Sequence, residues 1–194
     1  MMNGARRLAG VGALTCALLT VSPRAFAQAS RSSLTVMHEY VAGDVVPDDV
    51  SIPDNLKVDD VYRPLIRSMI GRSATFRRQC LRLASDRRLT VHLQAAGPSW
   101  TRGARAITRI ARLSDGGMDA SVYLTHFDDD VELIAHELEH VIEQLDEIDL
   151  SSRADLPDTG VHHTTQGSAF ETVRATQVGL RVAREVRATG RKAD

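Results

Sequence analysis

Apolar residues recur with helical spacing in two stretches before the middle of the chain. From Asp59 to Gly71 they fall three or four positions apart, as they do on one face of an amphipathic helix. A second helical pattern covers residues 74–84, and Ser73 before it is a residue type that caps helices. The sequence therefore predicts two short consecutive helices.

Apolar and polar residues alternate in the next part of the chain, as they do in strands with one buried face. The alternation predicts strands at residues 89–93, 106–113 and 120–124. Turn residues separate them at Gly97-Pro98 and at Asp115-Gly116-Gly117. We predict a small meandering sheet.

Helical spacing returns in the last third of the chain. Residues 129–147 form one pattern, and the aspartates at 128–130 can cap it. A polar loop is predicted at 151–167 and a last helix at about 168–188. Strands grouped between helices predict an α+β domain.

The first 27 residues have the pattern of a secretory signal peptide. Arg6 and Arg7 precede an apolar run at residues 8–21, and the small-residue site Ala25-Phe26-Ala27 follows. The run is shorter than the ~20 residues that span a bilayer. We expect cleavage after Ala27, no membrane span in the mature chain, and a periplasmic or secreted protein.

Composition limits the number of domains and the kind of partner. A chain of 194 residues, 43% of them hydrophobic, suits one domain, placed at 58–190 after an irregular, Pro- and Asp-containing arm at 28–57. Loss of the signal removes three arginines and no acidic residue, which takes the formal charge from −1 to about −4. This balance argues against nucleic acid as a partner. Cys80, the one cysteine after residue 27, is expected to be a buried, inert thiol.

The predicted helix at 129–147 contains the motif His136-Glu137-Leu138-Glu139-His140. Histidines four residues apart lie on one helix face, one turn apart, where both can bind one metal ion. Glu137 lies about 100° around the helix from His136, beside such an ion, where it can take a proton from water. The motif predicts a zinc site with a general base.

An ordinary amphipathic helix is the alternative interpretation. Ile134, Leu138, Val141, Leu145 and Ile148 form one apolar stripe opposite the histidines, so the histidine face could be solvated. Solvent exposure is also the default expectation for Glu139 and Glu143.

A catalytic zinc needs a third protein ligand, and the candidates are Glu171, His162 and His163. Glu171 shares a predicted helix face with apolar residues at 175, 178 and 182, which would bury its carboxylate. The spacing Ser168-x-x-Glu171 is also that of a capping box, in which Glu171 would bond to the backbone instead.

The motif His136-Glu137-x-x-His140 with a later Glu171 resembles the gluzincin metallopeptidases over roughly residues 119–185. The resemblance implies a minimal zincin-like fold and one Zn²⁺ per chain, bound by His136, His140 and Glu171. It also implies Glu137 as general base and a peptide or protein as substrate. Several gluzincins have an acidic residue four positions after the ligand glutamate, and here that position is Ala175.

Two further expectations concern the substrate. His162, His163 or Tyr123 could stabilise the charge that develops on the carbonyl oxygen. The strand at 121–124 is expected to be an edge strand that pairs with an extended peptide, as in zincins. Other functions consistent with the sequence are a non-catalytic zinc-binding domain for metal sequestration, and an interaction scaffold.

Overall fold

The structure is a computed structural model, and it describes residues 14–17, 46–97, 99–101, 104–125, 130–154, 156–164 and 169–190. It has the α+β architecture that the order of patterns predicts. The helices are α1 (Arg63–Arg72), α2 (Ala74–Ala84), α3 (Asp130–Leu145), α4 (Leu150–Ala154) and α5 (Val173–Gly190). The strands are β1 (Leu14–Ala17), β2 (Leu56–Val58), β3 (Leu89–Ala95), β4 (Ala106–Arg112), β5 (Met118–Leu124), β6 (Val161–His163) and β7 (Phe170–Thr172).

The main sheet has five strands in the order β1-β4-β5-β3-β2, and its pairing is mixed. β4 is antiparallel to β1 and β5, whereas β5, β3 and β2 run parallel. The predicted meander is therefore wrong, because β5 lies between β4 and β3. The predicted strand positions agree with β3, β4 and β5 to within two residues at each end.

One face of this sheet packs against the helices. In β3 and β5 every second residue is buried, and the residues between are more exposed. The buried face joins the apolar residues of α1, α2 and α3 in one core cluster. α3 contacts β4 and β5 from above, and α5 packs along α3.

Local chemistry explains the helix ends near this core. Ser73 caps α2, as predicted, because its Oγ accepts a hydrogen bond from the backbone N–H of Phe76 at 3.0 Å. Glu147 has a φ of 55°, and the N–H of Ile148 bonds the carbonyl of Glu143 at 3.0 Å, which ends α3 as a Schellman motif. Asp128 and Asp129, two of the three predicted caps of α3, lie outside the described residues.

The region predicted as a polar loop has more structure than expected. It contains α4 and β6, and β6 pairs with β7 in an antiparallel two-stranded sheet. The predicted helix start at Ser168 is also wrong, because residues 170–172 are a strand and α5 begins at Val173.

The N-terminal predictions are only partly covered. Residues 46–55 of the predicted arm are irregular, and Leu56 and Lys57 belong to β2. β1 falls inside the predicted signal peptide, and the rest of residues 1–45 lies outside the described part. No helix among the described residues is long and apolar enough to cross a membrane.

Candidate metal centre

The two histidines of the motif converge in the interior. His136 and His140 lie one turn apart on α3, and their rings meet edge to face with centroids 4.8 Å apart. Their Nε2 atoms are 3.0 Å apart. Both side chains are buried, so the solvated interpretation of this helix face is wrong.

Glu171 reaches the same point from β7. Its Oε2 lies 3.1 Å from His136 Nε2, and one ligand atom from each of the three residues lies within 4.8 Å of the others. Donors that bind a tetrahedral zinc at about 2.0–2.1 Å are roughly 3.3 Å from each other. The spacing of the three atoms suits one small cation.

Glu171 is not part of a capping box, because it precedes α5 and belongs to a strand. Thr172 caps the helix instead: its Oγ1 accepts a hydrogen bond from the Ala175 N–H at 3.0 Å. Ser168 lies outside the described residues. The carboxylate of Glu171 is therefore available for a ligand.

Two buried oxygens at the centre lack partners among the described residues. They are Glu171 Oε1 and Glu137 Oε1. A buried carboxylate oxygen without a hydrogen bond is costly, and a cation and its water would satisfy it. Two imidazole nitrogens and a carboxylate oxygen are a donor set that zinc prefers. The residues present therefore fit the metal that the motif predicts.

Glu137 is buried beside the histidines and is held by the sheet. Its Oε2 accepts a hydrogen bond of 2.5 Å from Thr108 Oγ1 on β4. Burial raises the pKa of Glu137 above its usual value, against the opposing charges of His136 and His140 and the Thr108 bond. A raised pKa makes the carboxylate a stronger base.

Glu143 contacts the ring nitrogen of His140 that does not face His136. The Nδ1 of His140 lies 2.9 Å from Glu143 Oε2. Burial alone would lower the pKa of His140, but the bond to Glu143 and the carboxylates of Glu143, Glu137 and Glu171 raise it to about 9. Burial would likewise raise the pKa of Glu143, and the His140 and Thr172 bonds instead lower it.

The expectation that Glu139 and Glu143 are solvated is wrong, since both are buried. Glu139 pairs with Arg174 Nε at 2.7 Å, and its other oxygen accepts from Gln79 Nε2 at 2.7 Å. Glu139 and Glu143 are buried because α2 and α5 pack against α3. Glu139 thus joins three helices and does not contact the metal ligands through these bonds.

The three candidates for contact with the carbonyl oxygen lie in different places. His162 is directly opposite Glu171 in the β6–β7 ladder, so both side chains leave the same face. His163 pairs with Phe170, and their rings are 4.9 Å apart. Tyr123 stacks on Trp100, with ring centroids 5.6 Å apart, on the sheet face away from α3. Of these three residues, only His162 lies on the face of the β6–β7 sheet that carries Glu171.

The prediction that residues 121–124 form an edge strand is wrong. β5 is not an edge strand, because β4 and β3 pair with its two sides. β4, which carries Thr108, has β1 as its other neighbour. β1 lies within the predicted signal peptide.

Sequence reasoning missed Thr108, Glu143 and Thr172. Glu143 could have been found from its position three residues after His140, on the same side of the helix. Thr108 and Thr172 depend on packing between distant segments, for which the local pattern has no signal. Cys80 is buried as expected, and burial raises its pKa to about 12.

Comparison with protein-family models, curated proteins and solved structures finds no match to this chain. The geometry of the site and the resemblance of its motif are therefore the basis for a functional proposal.

Proposed function

We propose that the chain is an exported, zinc-dependent metallopeptidase that binds one Zn²⁺ through His136, His140 and Glu171. The observation that carries this proposal is the convergence of these three donors beside Glu137, with two buried carboxylate oxygens that no described group satisfies. Three protein ligands leave a coordination position for water, as in catalytic zinc sites.

Zinc bound here would supply Lewis acidity that acidifies a water and polarises the substrate carbonyl. Glu137 would accept a proton from the attacking water on Oε1, while Oε2 stays bonded to Thr108. The water oxygen adds to the carbonyl carbon, the carbon–nitrogen bond breaks, and Glu137 returns the proton to the leaving amine. Thr108 keeps the carboxylate oriented during both transfers.

The proposed place for the substrate backbone is the side of β4 that β1 occupies in the structure, after the predicted signal peptide has been removed. An extended peptide in the position of β1 would pair antiparallel to β4, next to the strand position that holds Glu137. β1 also contacts β7, the strand that carries Glu171, so this position borders the metal centre from both sides. Strand pairing of this kind binds the backbone of an extended peptide, so we propose a peptide substrate.

A metal-sequestering domain would be expected to close the coordination shell with four protein ligands. Among the described residues the centre gathers three candidate ligands, and the buried Glu137, bonded to Thr108, lies beside them, where a general base is proposed. Both features support catalysis over storage.

Metal content and peptide hydrolysis of the exported protein test the proposal. We expect one zinc per wild-type chain by mass spectrometry after dialysis, with zinc lost from His140→Ala and Glu171→Ala. Glu137→Gln should retain zinc and lose about 10²–10⁴-fold in kcat on a peptide mixture. His92→Ala, which removes a half-exposed histidine on β3, is the matched control and should keep both.

Two results would contradict the proposal. One is a wild-type protein without bound metal. The other is a Glu137→Gln protein that hydrolyses peptides as fast as the wild type.

A further inference from the structure

Glu143 is a buried carboxylate for which the proposed reaction has no role. It lies on α3, three residues after His140, and its side chain is 2% exposed. A carboxylate taken out of water is stabilised only where hydrogen bonds replace its hydration. Its partners therefore show what it does.

Both oxygens of Glu143 have a partner. Oε2 lies 2.9 Å from His140 Nδ1, and Oε1 accepts a hydrogen bond of 2.7 Å from Thr172 Oγ1. The Thr172 hydroxyl in turn accepts the Ala175 N–H at 3.0 Å, which caps α5. A continuous chain of hydrogen bonds thus runs from α3 to the start of α5.

We propose that Glu143 and Thr172 are positioning residues of the metal centre, which tie the His140 ligand to the segment that carries Glu171. This inference rests on the proposed zinc site and concerns its assembly. Neither residue touches the metal; each acts through a ligand.

Glu143 acts first on the imidazole of His140. A carboxylate at Nδ1 keeps the ring proton on that nitrogen, which leaves the lone pair of Nε2 for the metal. The same bond fixes the rotation of the ring, since Glu143 is itself immobilised by packing. His140 Nε2 accordingly faces His136 Nε2 at 3.0 Å.

Glu143 also acts on Glu171, through Thr172. Thr172 follows it directly in the chain, and the hydroxyl of Thr172 bonds Glu143 and the helix end at once. Strand β7 is only three residues long, so one anchored residue constrains its neighbour strongly. Glu143 therefore fixes the position of His140 relative to Glu171.

Ala175 supports this assignment. Ala175 is four residues after Glu171 and has no carboxylate that could orient a ligand histidine. The backbone N–H of Ala175 instead bonds Thr172, which bonds Glu143. The orienting carboxylate comes from the ligand helix itself.

Zinc affinity of the Glu143→Gln protein is the first test. We expect the zinc Kd, measured by competition with a chromophoric chelator, to rise about 10- to 100-fold. The visible absorption of the Co²⁺-substituted protein should also change, because the position of a ligand nitrogen changes. Glu139→Gln is the matched control: an equally buried glutamate of α3 that bonds Arg174 and Gln79. It should lower stability and leave the zinc Kd and Co²⁺ spectrum near wild type.

Thr172 gives a second test that does not alter a buried charge. Thr172→Val keeps the shape of the side chain but removes the hydroxyl, and should raise the zinc Kd. Thr172→Ser restores the hydroxyl and should restore affinity and spectrum. A merely structural role of Thr172 would lower thermal stability without this pattern.

The outcomes separate the two proposals. If the wild-type chain binds zinc and the Glu143→Gln protein has the same zinc Kd and Co²⁺ spectrum, the positioning role alone is overturned. If Glu143→Gln does not fold, equal affinities of the Thr172→Val and Thr172→Ser proteins would overturn it. A wild-type chain that binds no zinc would overturn this inference together with the proposed function.

Discussion

At the scale of single residues, the position of a side chain in the β6–β7 ladder decides what it can reach. His162 faces the same side as Glu171, and His163 faces Phe170 on the other side. Directly opposed residues of an antiparallel pair have Cβ atoms about 4.5–5.5 Å apart. His162 is exposed, so under the proposed function its side chain could contact a substrate carbonyl beside the zinc site.

We predict that His162→Ala lowers kcat about 10²–10³-fold, the usual loss when a donor to a developing oxyanion is removed. KM and zinc content should change little, because His162 is not one of the three proposed ligands. His163→Ala is the control and should keep kcat close to the wild-type value. Steady-state kinetics on one cleaved peptide measure both, and equal kcat values for the two variants would contradict the assignment.

The sequence predicts best the side-chain positions that depend on local geometry. His136 and His140 converge because four residues make about one helical turn, whatever the rest of the chain does. Glu139 and Glu143 were misassigned because a helical wheel identifies one apolar face and is silent about polar faces that a second helix covers. Here α5 supplies Arg174 to that face, and β7 supplies Thr172, the residue that caps α5.

At the scale of elements, the close contact between α3 and α5 positions the turn of α3 that carries His136. Gly179 on α5 lies against α3, and a Cβ there would be 2.8 Å from the Glu132 carbonyl oxygen and 3.2 Å from His136 Cβ. A backbone atom cannot move aside as a flexible side chain can. The absence of a side chain at Gly179 lets α5 approach the turn that holds His136.

We predict that Gly179→Ala lowers the free energy of unfolding by about 1–3 kcal/mol, the usual cost of overpacking. Alanine would otherwise stabilise a helix by roughly 0.5–1 kcal/mol relative to glycine. Gly71→Ala on α1 is the control, since a Cβ there meets nothing within 4 Å, and it should stabilise the protein. Urea denaturation measures both. A stabilised Gly179→Ala protein would show that the helices can separate at no cost.

The strand at 170–172 shows why an element can be misassigned from its sequence. Ser168-x-x-Glu171 and the apolar residues at 175, 178 and 182 fit a helix that starts at 168. In the structure Phe170 and Thr172 pair with β6, and Thr172 provides the cap that the pattern placed at Ser168. Three residues give too little alternation to recognise a strand, so only the pairing partner defines it.

At the scale of the whole molecule, the order of strands was not predictable from alternation. The strand segments have the expected positions, yet β3 pairs with β5 in parallel and not with β4. Alternation defines which face of a strand is buried, and both orders bury the same residues. The choice depends on how α1, α2 and α3 cover the sheet, which is a property of the assembled core.

Glu185 joins the C-terminal helix α5 to the junction between α1 and α2. This residue of α5 accepts hydrogen bonds from Ser73 Oγ at 2.6 Å, Thr75 Oγ1 at 2.7 Å and the Thr75 N–H at 3.0 Å. The bonds fasten the junction of α1 and α2 to the C-terminal helix. Burial alone would raise the pKa of Glu185, but the bonds from Ser73 and Thr75 outweigh it and lower the pKa below 4.5.

A carboxylate whose pKa is lower in the folded than in the unfolded state stabilises the fold above the unfolded value. This contribution is lost as the pH falls through the folded pKa. We therefore predict that Glu185→Gln lowers the free energy of unfolding at pH 7 by about 1–2 kcal/mol, a figure reduced because the side chain is half-buried and solvent screens it. Well below both pKa values the neutral glutamic acid resembles glutamine, so the difference should shrink as the pH is lowered. Urea denaturation of both proteins at pH 7 and at successively lower pH measures it, with the exposed Glu147→Gln as a control that should show no difference. A difference that stays constant with pH would mean that shape, and not the charge of Glu185, holds the C-terminal helix to the rest of the molecule.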